Sequence, residues 1–339
     1  MKKVSVNLVT WNNLKFLPQC LDSILNQTFN DFSVLIIDNA SHDGTIKFLE
    51  KHYPQVALLK NARNLGFSKS HNQGVKFAIK KGFEYVLIIN PDIILTPDCL
   101  RNLVQTMENN EEAASAGPKL LKIQTGNSEL GEKIKTGIID SCGLKILKSR
   151  RIVDRGAGEI DKGQYGKEEE VFGISGALVL YRSKALEDVK IDSEYFDEDF
   201  FAYKEDVDLA WRFRIRNWKN LYQPKAIAYH YRTAAIKERV KLGEIIKNRK
   251  EKSESVNYYS YKNHLLLLVK NEFFLNFFSA FPIVLLYELR KFIYILLFEQ
   301  KTLKSFWQFL KEFPRILKKR KVIMKNRKIG AKEMSRWFK

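Results

Sequence analysis

The feature that most constrains the fold is an alternation of apolar runs and helix-periodic segments over residues 4–89. Near-continuous apolar runs, such as 32–37, are typical of parallel strands that are buried on both faces. Strands are predicted at 4–10, 32–37, 56–59 and 85–89, and helices at 14–27, 43–53 and 68–80. This alternation predicts a doubly wound α/β sheet, mostly parallel, with right-handed crossovers.

The chain changes character further along. Residues 123–170 are rich in Gly, Lys and Glu, which indicates irregular strands and a mobile loop. Regular structure is predicted to return at 172–180, followed by a helix that begins near Lys204 and a last strand at 226–230.

Composition narrows the classes of partner. The 339 residues carry a formal net charge of +19, which favours nucleic acid, anionic lipid or a nucleotide-linked substrate as the partner. An apolar content of 45% argues against disorder. The three cysteines are widely spaced, so neither a disulfide framework nor a zinc site is expected. This cysteine usage favours a reducing compartment. The first residues lack the pattern of a signal peptide.

After about residue 236 a lysine-rich stretch leads to apolar clusters at 264–269, 273–287 and 292–298. Charged residues at 288–291 interrupt them, and a spanning helix needs roughly 20 mostly apolar residues. We therefore predict amphipathic helices on an anionic membrane surface, with a helical subdomain packed on the core as the alternative. Truncation after about residue 240 is expected to release the protein from anionic vesicles and to leave nucleotide binding largely intact.

Two polar motifs follow predicted strands, where ligands bind in open α/β sheets. In the segment 38–45, Asp38 can accept a hydrogen bond from a base or a ribose, whereas Ser41 or Asp43 can cap the next helix. In the second motif, 90–92, Asp92 can anchor a metal–diphosphate, although Asn-Pro-Asp is also good turn chemistry.

An acidic block at 205–208 lies at the predicted start of a helix. A carboxylate there can take a proton from an attacking hydroxyl, while a strand-end carboxylate holds a cation against a leaving diphosphate. Asp208 lies two residues after Asp206, so the helix turns it away, and a pair with Arg212 is expected. Aromatic residues on the N-terminal side of the block can line a site or fill the core.

Together these segments resemble the inverting glycosyltransferases of family two, with the GT-A nucleotide-diphospho-sugar transferase fold, and within them the rhamnosyltransferase-like branch. The resemblance covers roughly residues 4–235. It rests on short motifs that occur in the family's order: 9–12, 38–45, 64–67, 90–92, 176–177, 205–208 and His230.

The resemblance implies a role for each position. Asp206 would be the catalytic base, with Glu205 beside it shaping acceptor binding, and Asp92 with His230 would hold Mg²⁺ or Mn²⁺. The residues implied near the sugars are Gly176, Ala177 and Tyr203. Those implied for nucleotide-sugar binding are Thr10, Asn12, Asp38, Asn39, Arg63, Asn64, Gly66, Asn90 and Asp92. The family's metal motif has two Asp residues, and Asn90 replaces the first of them.

The resemblance also implies an organisation and a setting. Residues 1–235 would form the catalytic domain, with a nucleotide-sugar half at about 1–120 and an acceptor half at about 121–235, and 236–339 would form the basic helical region. The donor would be a nucleotide-diphospho-sugar, dTDP-rhamnose-like, and the acceptor a lipid-linked or polysaccharide glycan. We expect a peripheral protein on the cytoplasmic face of the plasma membrane, with self-association left open.

No nucleic-acid motif is evident, so no nucleic-acid partner is expected. The two alternative functions are a non-enzymatic nucleic-acid-binding protein, suggested by the net charge, and a nucleotidyltransferase on the same scaffold.

Overall fold

A mixed β-sheet forms the centre of the molecule. The structure is a computed structural model, and it describes residues 2–125, 133–231, 249 and 252–339. The strands are β1 (Val4–Thr10), β2 (Phe32–Asp38), β3 (Ala57–Lys60), β4 (Tyr85–Ile89), β5 (Ile93–Leu95), β6 (Ala113–Thr125), β7 (Lys133–Ser141), β8 (Leu144–Ile146), β9 (Ile152–Asp154), β10 (Glu169–Glu170), β11 (Leu178–Arg182) and β12 (Lys219–His230).

The order within the main sheet is β10-β12-β6-β11-β4-β1-β2-β3. Strands β3, β2, β1 and β4 are parallel, as their apolar runs predict. Strand β11 lies antiparallel between β4 and β6, and β12 is parallel to β6. The mixed α/β sheet is confirmed, but the prediction that it is mostly parallel is wrong. Five of the nine strand pairings in the described part of this sheet are antiparallel, because β11 and the strands β5, β7 and β10 all pair in that sense.

The helices are α1 (Leu17–Leu25), α2 (Thr45–His52), α3 (Gly66–Lys80), α4 (Cys99–Glu108), α5 (Ser183–Val189), α6 (Glu205–Ile215), α7 (Glu254–Asn271), α8 (Phe274–Ser279), α9 (Phe281–Phe298), α10 (Gln300–Lys325) and α11 (Ala331–Ser335). The predicted elements of the first 90 residues are all present, with boundaries shifted by a few residues. The prediction for 172–180 was less accurate, because the strand there begins only at Leu178.

Helices cover both faces of the sheet. Leu17, Leu21 and Ile24 of α1 pack with Leu103 of α4 against one face. Helices α3, α5 and α6 cover the other face, where Val75, Leu186 and Phe213 are buried. The carboxyl ends of β1, β2 and β4 lie side by side in the sheet and carry the strand-end motifs.

The C-terminal helices pack on the catalytic region. Trp211 of α6 and Phe200 share one apolar core with Leu266 of α7 and Ile316 of α10. This is the packing that the alternative interpretation of the C-terminal region predicts, although the boundary proposed at 235/236 falls outside the described residues. Truncation after about residue 240 would remove part of this shared core, so it cannot test membrane binding alone.

Among the helices of the described residues, none combines the length and the continuous apolar character that crossing a bilayer requires.

Candidate active site

Polar side chains lie together at the ends of three neighbouring parallel strands. Thr10 and Asp38 end β1 and β2 and are paired in register, and Asn90 follows β4 on the other side of β1. Both Thr10 Oγ1 and Asp38 Oδ1 are buried and have no hydrogen-bond partner within the described residues. The second oxygen of Asp38 accepts a hydrogen bond from the Ser41 N–H at 2.9 Å. Buried polar atoms normally have a hydrogen-bond partner, so these two oxygens mark a candidate ligand site, and nucleoside contact by Thr10 and Asp38 stays a prediction.

Asn12 and Asn39 contact protein groups instead. Asn12 has a left-handed backbone (φ 53°), and its Oδ1 accepts a hydrogen bond from the His42 N–H at 2.8 Å. Asn39 Oδ1 accepts hydrogen bonds from Ser70 Oγ at 2.6 Å and Asn61 Nδ2 at 2.9 Å. These contacts join the loops at the strand ends, and nucleotide contact by either residue stays a prediction.

The next predicted motif lies at the start of α3. Asn64 Oδ1 accepts a hydrogen bond from the Gly66 N–H at 2.8 Å, and the Arg63 side chain is exposed. Gly66 has φ 78°, and a Cβ atom there would lie 2.5 Å from the carbonyl oxygen of Phe201. A side chain at Gly66 would thus displace the loop that precedes the acidic block.

Asp92 and His230 are brought together, as the sequence predicts. His230 Nε2 lies 3.4 Å from Asp92 Oδ2, and His230 Nδ1 lies 2.8 Å from Asp140 Oδ2. Burial disfavours the charged imidazolium, but hydrogen bonds with Asp140 and Asp92 outweigh it and raise the pKa of His230 to about 9. Asp140 fixes the orientation of the ring, which directs Nε2 towards Asp92.

The donor set around Asp92 fits a metal that shares its ligands with a substrate. Asp92 Oδ1 is buried without a partner within the described residues, and His230 Nε2 faces the same carboxylate. No group of three or more His, Cys, Asp or Glu side chains in the described parts of the chain could hold a metal ion by itself. The site thus suits a cation that takes its remaining ligands from a diphosphate.

The dipeptide Gly176–Ala177 joins the strand-end motif to the acidic block. The Ala177 carbonyl accepts a hydrogen bond from the Asn90 N–H at 2.9 Å. The Gly176 N–H donates to Asp206 Oδ2 at 2.8 Å. A Cβ atom on Gly176 would lie 3.1 Å from the Asp206 Cβ, so only glycine allows this approach without displacement. Asp206 and the segment 90–92 therefore lie on either side of one dipeptide.

The electrostatic surroundings of the acidic block favour proton uptake. Burial raises the pKa of Asp206, and hydrogen bonds from the N–H groups of Gly176 and Val207 oppose the rise, whereas the nearby charge of Asp154 adds to it. Burial and the charge of Asp206 raise the pKa of Glu205 well above its usual range. Glu205 Oε2 is buried with no partner in the described residues. A carboxylate with a raised pKa is a stronger base than an ordinary one.

The rest of the block is structural. Asp208 is fully buried, and its Oδ2 accepts a hydrogen bond from Arg212 Nε at 2.9 Å, which confirms the predicted pair. Of the flanking aromatic residues, Phe196 and Phe200 belong to the core, whereas Tyr203 is 44% exposed. Among these three residues, only Tyr203 can therefore stack on a sugar.

The model of the family "Glycosyl transferase family 2" matches residues 5–190. The chain belongs to glycosyl transferase family 2. It is an enzyme of the glycosyltransferase class, as predicted, and the alternative of a non-enzymatic nucleic-acid-binding protein has no support.

Several glycosyltransferases are similar to this chain over part of its length. An N-acetylglucosaminyl-diphospho-decaprenol L-rhamnosyltransferase of Mycobacterium tuberculosis is 27% identical, over 66% of this chain and 74% of that protein. The poly(ribitol-phosphate) β-N-acetylglucosaminyltransferase TarP of Staphylococcus aureus is 28% identical, over 58% of this chain and 62% of that protein. The resemblance to the rhamnosyltransferase-like branch is thus confirmed.

Solved structures show the same fold. GalNAc-T7 with UDP, GalNAc and Mn²⁺ superposes with a TM-score of 0.55 at 14% identity, over 79% of this chain and 48% of that one. The mannosyltransferase PcManGT of Pyrobaculum calidifontis, in complex with GDP-Man and Mn²⁺, gives a TM-score of 0.50 at 14% identity, over 95% and 86%. At this identity the likeness supports the GT-A-like fold of this family 2 transferase.

Sequence reasoning missed two carboxylates of the site, Asp140 and Asp154. Both are buried, and both lie in the Gly- and Lys-rich region of 123–170. Asp140 reaches His230 because β7 and β12 both pair with β6. No local pattern marks either residue. Asp140 is identified by the sheet pairing, and Asp154, in the separate β8–β9 pair, by its charge close to Asp206.

Proposed function

We propose that this family 2 transferase moves a sugar from a nucleotide diphosphate to a hydroxyl of a lipid-linked or polysaccharide acceptor, with inversion and with metal assistance. The contact of Gly176–Ala177 with both Asn90 and Asp206 carries the proposal. These two hydrogen bonds support the proposal because they connect the proposed base and the proposed diphosphate-binding motif through one dipeptide, and an in-line displacement needs both groups at one site.

In the proposed reaction the acceptor hydroxyl attacks the anomeric carbon on the face opposite the diphosphate. Asp206 removes the hydroxyl proton as the new C–O bond forms and the bond to the diphosphate oxygen breaks. Thr10 and Asp38 would bind the nucleoside through their orphaned oxygens. A nucleoside diphosphate leaves, and no covalent sugar–enzyme intermediate is required.

Asp92 and His230 would hold Mg²⁺ or Mn²⁺. When bound, the cation stabilises the negative charge on the leaving diphosphate. His230 is directed at this position by Asp140, and the orphaned Asp92 Oδ1 supplies a further ligand. The two solved structures that contain Mn²⁺ support the class of cofactor but not the choice of metal.

A dTDP-rhamnose-like donor is favoured because the rhamnosyltransferase of M. tuberculosis is similar over most of its own length. That relative is also named for an acceptor linked to decaprenol through a diphosphate, which supports a lipid-linked acceptor here.

The test is a transfer assay with a panel of nucleotide sugars and lipid-linked acceptors, in which the released nucleotide is identified. Release of a nucleoside diphosphate supports glycosyl transfer, whereas release of pyrophosphate would show a nucleotidyltransferase. The variant Asp206→Asn should lose most of its activity. Parental activity in Asp206→Asn would exclude this residue as the base.

We also propose that the C-terminal helices place the enzyme on an anionic membrane surface. Helices α8, α9 and α10 leave a large apolar face uncovered, on which Leu275 is 75% exposed. Its members are Phe274, Leu275, Phe278, Ile283, Leu285, Leu286, Leu289, Ile293, Leu296, Leu297, Phe298, Trp307, Leu310 and Leu317. Exposed lysines of α10, including Lys318 and Lys321, provide positive charge on the same set of helices. Apolar insertion combined with basic charge fits an anionic lipid surface, such as the cytoplasmic face of a plasma membrane.

Point variants test this surface without removing the shared core. The triple variant Phe274→Ser, Leu275→Ser and Phe278→Ser should abolish sedimentation with vesicles that contain anionic lipid and leave nucleotide binding unchanged. Unchanged sedimentation would contradict the membrane proposal. A shift from dimer to monomer, with no vesicle binding in the parent, would instead show that a second copy covers the face.

A further inference from the structure

The loop 200–204, here called the base loop, delivers Glu205 and Asp206 to the first turn of α6. Three of its residues have left-handed backbones: Phe201 (φ 59°), Tyr203 (φ 72°) and Lys204 (φ 70°). None of them is glycine, so the conformation is costly for each residue and persists only where neighbouring groups enforce it.

Helix α3 holds one side of the base loop. The Phe201 carbonyl accepts hydrogen bonds from the N–H groups of Phe67 at 2.7 Å and Ser68 at 3.2 Å. These N–H groups belong to the first turn of α3, where no intrahelical partner exists for them. The base loop is thereby fixed to the end of the catalytic region that carries Asn64 and Gly66.

Asn263 of α7 holds the other side. Its Nδ2 donates to three carbonyls of the loop: Phe200 at 2.9 Å, Ala202 at 2.8 Å and Tyr203 at 2.7 Å. Asn263 is fully buried. Among the hydrogen bonds of the described residues, its amide is the only donor to the carbonyls of Ala202 and Tyr203. One turn earlier on α7, the Tyr259 ring stacks on Phe201 with ring centroids 5.0 Å apart.

We propose that Asn263 is a positioning residue for sugar transfer, because it fixes the strained loop that aims Asp206 at the acceptor hydroxyl. The inference rests on the proposed role of Asp206 as base. It makes helix α7, which lies beyond the segment that the family model matches, a working part of the active site.

A positional effect should appear in turnover rather than in donor binding. The proposed nucleoside contacts come from Thr10 and Asp38 at the ends of β1 and β2. No hydrogen bond among the described residues joins either of them to the base loop or to Asn263, so the loss of Asn263 leaves them in place. A displacement of about 1 Å in a reacting group can lower the rate by about 10²-fold. We therefore expect Asn263→Ala to lower kcat by about 10²-fold, with the KM for the donor unchanged.

Asn276 of α8 provides a matched control. It is also a buried asparagine of the C-terminal region, and its Nδ2 donates to a backbone carbonyl, that of Ala331, at 2.9 Å. It contacts no residue of the base loop through its side chain. Asn276→Ala should thus lower the melting temperature in the same way as Asn263→Ala but leave kcat close to that of the parent.

The experiment compares the full-length parent, Asn263→Ala, Asn263→Gln, Asn276→Ala and Asp206→Asn in steady-state transfer and in hydrogen exchange of the amides at 200–206. Asn263→Gln keeps the donor on a longer stem, so it should fold and lose less kcat than Asn263→Ala. Faster exchange of the base loop is expected in Asn263→Ala only. Hydrogen exchange reports on the loop even if the transfer assay finds no activity.

Parental kcat in both Asn263 variants, with Asp206→Asn inactive, would overturn the inference and leave the proposed function standing. Equal losses of kcat in Asn263→Ala and Asn276→Ala would also overturn it, because a general loss of stability would then explain both. Parental activity in Asp206→Asn would instead refute the proposed function at its base, whatever the Asn263 variants show.

Discussion

Lys270 offers the strongest test of how the C-terminal helices are attached. Its side chain is fully buried, its amine lies 2.7 Å from Asp208 Oδ1, and it also pairs with Asp197. Both carboxylates are fully buried as well. Replacing this lysine with methionine keeps most of the volume and removes the charge, so the effect on stability is mainly electrostatic.

The expected cost follows from what each carboxylate retains. Removing one partner of a buried ion pair typically costs about 3–5 kcal/mol. Here Asp197 keeps Lys319, and Asp208 keeps Arg212 and the Asn271 amide at 2.8 Å. We therefore expect Lys270→Met to lower the free energy of unfolding by about 3 kcal/mol, the low end of that range. For a chain of 339 residues this corresponds to a fall in melting temperature of roughly 4 °C.

The assay is thermal and urea unfolding of the parent, Lys270→Met and Lys301→Met. Lys301 forms an exposed ion pair with Glu254, in which the two side chains are 72% and 68% exposed, and such pairs contribute about 0–1 kcal/mol. Adding Asp197→Asn to Lys270→Met should restore part of the loss, because it removes a buried charge that has lost one of its two lysine partners. Equal shifts for Lys270→Met and Lys301→Met would refute the reasoning.

Three further outcomes follow from the same contacts. The acid limb of kcat/KM should lie above the ordinary Asp pKa of about 3.9, because burial raises the pKa of Asp206 and the base must be ionised. A pH–rate profile of the parent measures this limb, and a limb at or below that pH would contradict the assignment of Asp206 as base. Asp92→Asn should abolish the rise in melting temperature that nucleoside diphosphate with Mn²⁺ produces. The control His42→Gln, at an exposed histidine, should leave that rise unchanged. An unchanged rise in Asp92→Asn would exclude Asp92 as a metal ligand. Burial favours protonation of Asp197, but the charges of Lys270 and Lys319 outweigh burial and hold the pKa of Asp197 below its usual range. The contribution of Asp197 to stability is therefore present above about pH 3.9 and is lost as the pH falls towards the lower folded-state pKa. Unfolding measured from pH 6 to pH 2 should show the parent losing its advantage over Lys270→Met in that acid range, and a constant advantage would contradict the sign.

The nucleotide-binding half could be predicted because its signals are local. Apolar runs mark β1, β2 and β4, and polar residues follow each of them directly, so strand-end chemistry is visible in the sequence. The link from Gly176 to Asp206 is a hydrogen bond from a backbone N–H to a side-chain carboxylate across 30 positions, and no local pattern in the sequence marks it.

The C-terminal region was harder to predict for a physical reason. The sequence does not distinguish a buried lysine from a solvated one, and lysine is almost never fully buried unless it is paired. The sequence therefore makes Lys270 and Lys319 part of a basic tail, whereas in the structure both are buried against acidic residues of 194–208. Pro282 occupies the first turn of α9, where its missing N–H costs no intrahelical bond, so it does not interrupt the helix.

Helix α7 carries both Asn263 and Lys270, and it belongs to the same C-terminal set of helices that exposes the apolar residues around Leu275 and Phe298. Chimaeras between relatives would therefore have to exchange residues 194–208 together with 253–339, since a graft of either piece alone would leave lysines and carboxylates without their counterparts. Natural diversification of this enzyme would be under the same constraint. A change in the surface that the C-terminal helices expose would have to evolve together with a change in the position of the proposed base.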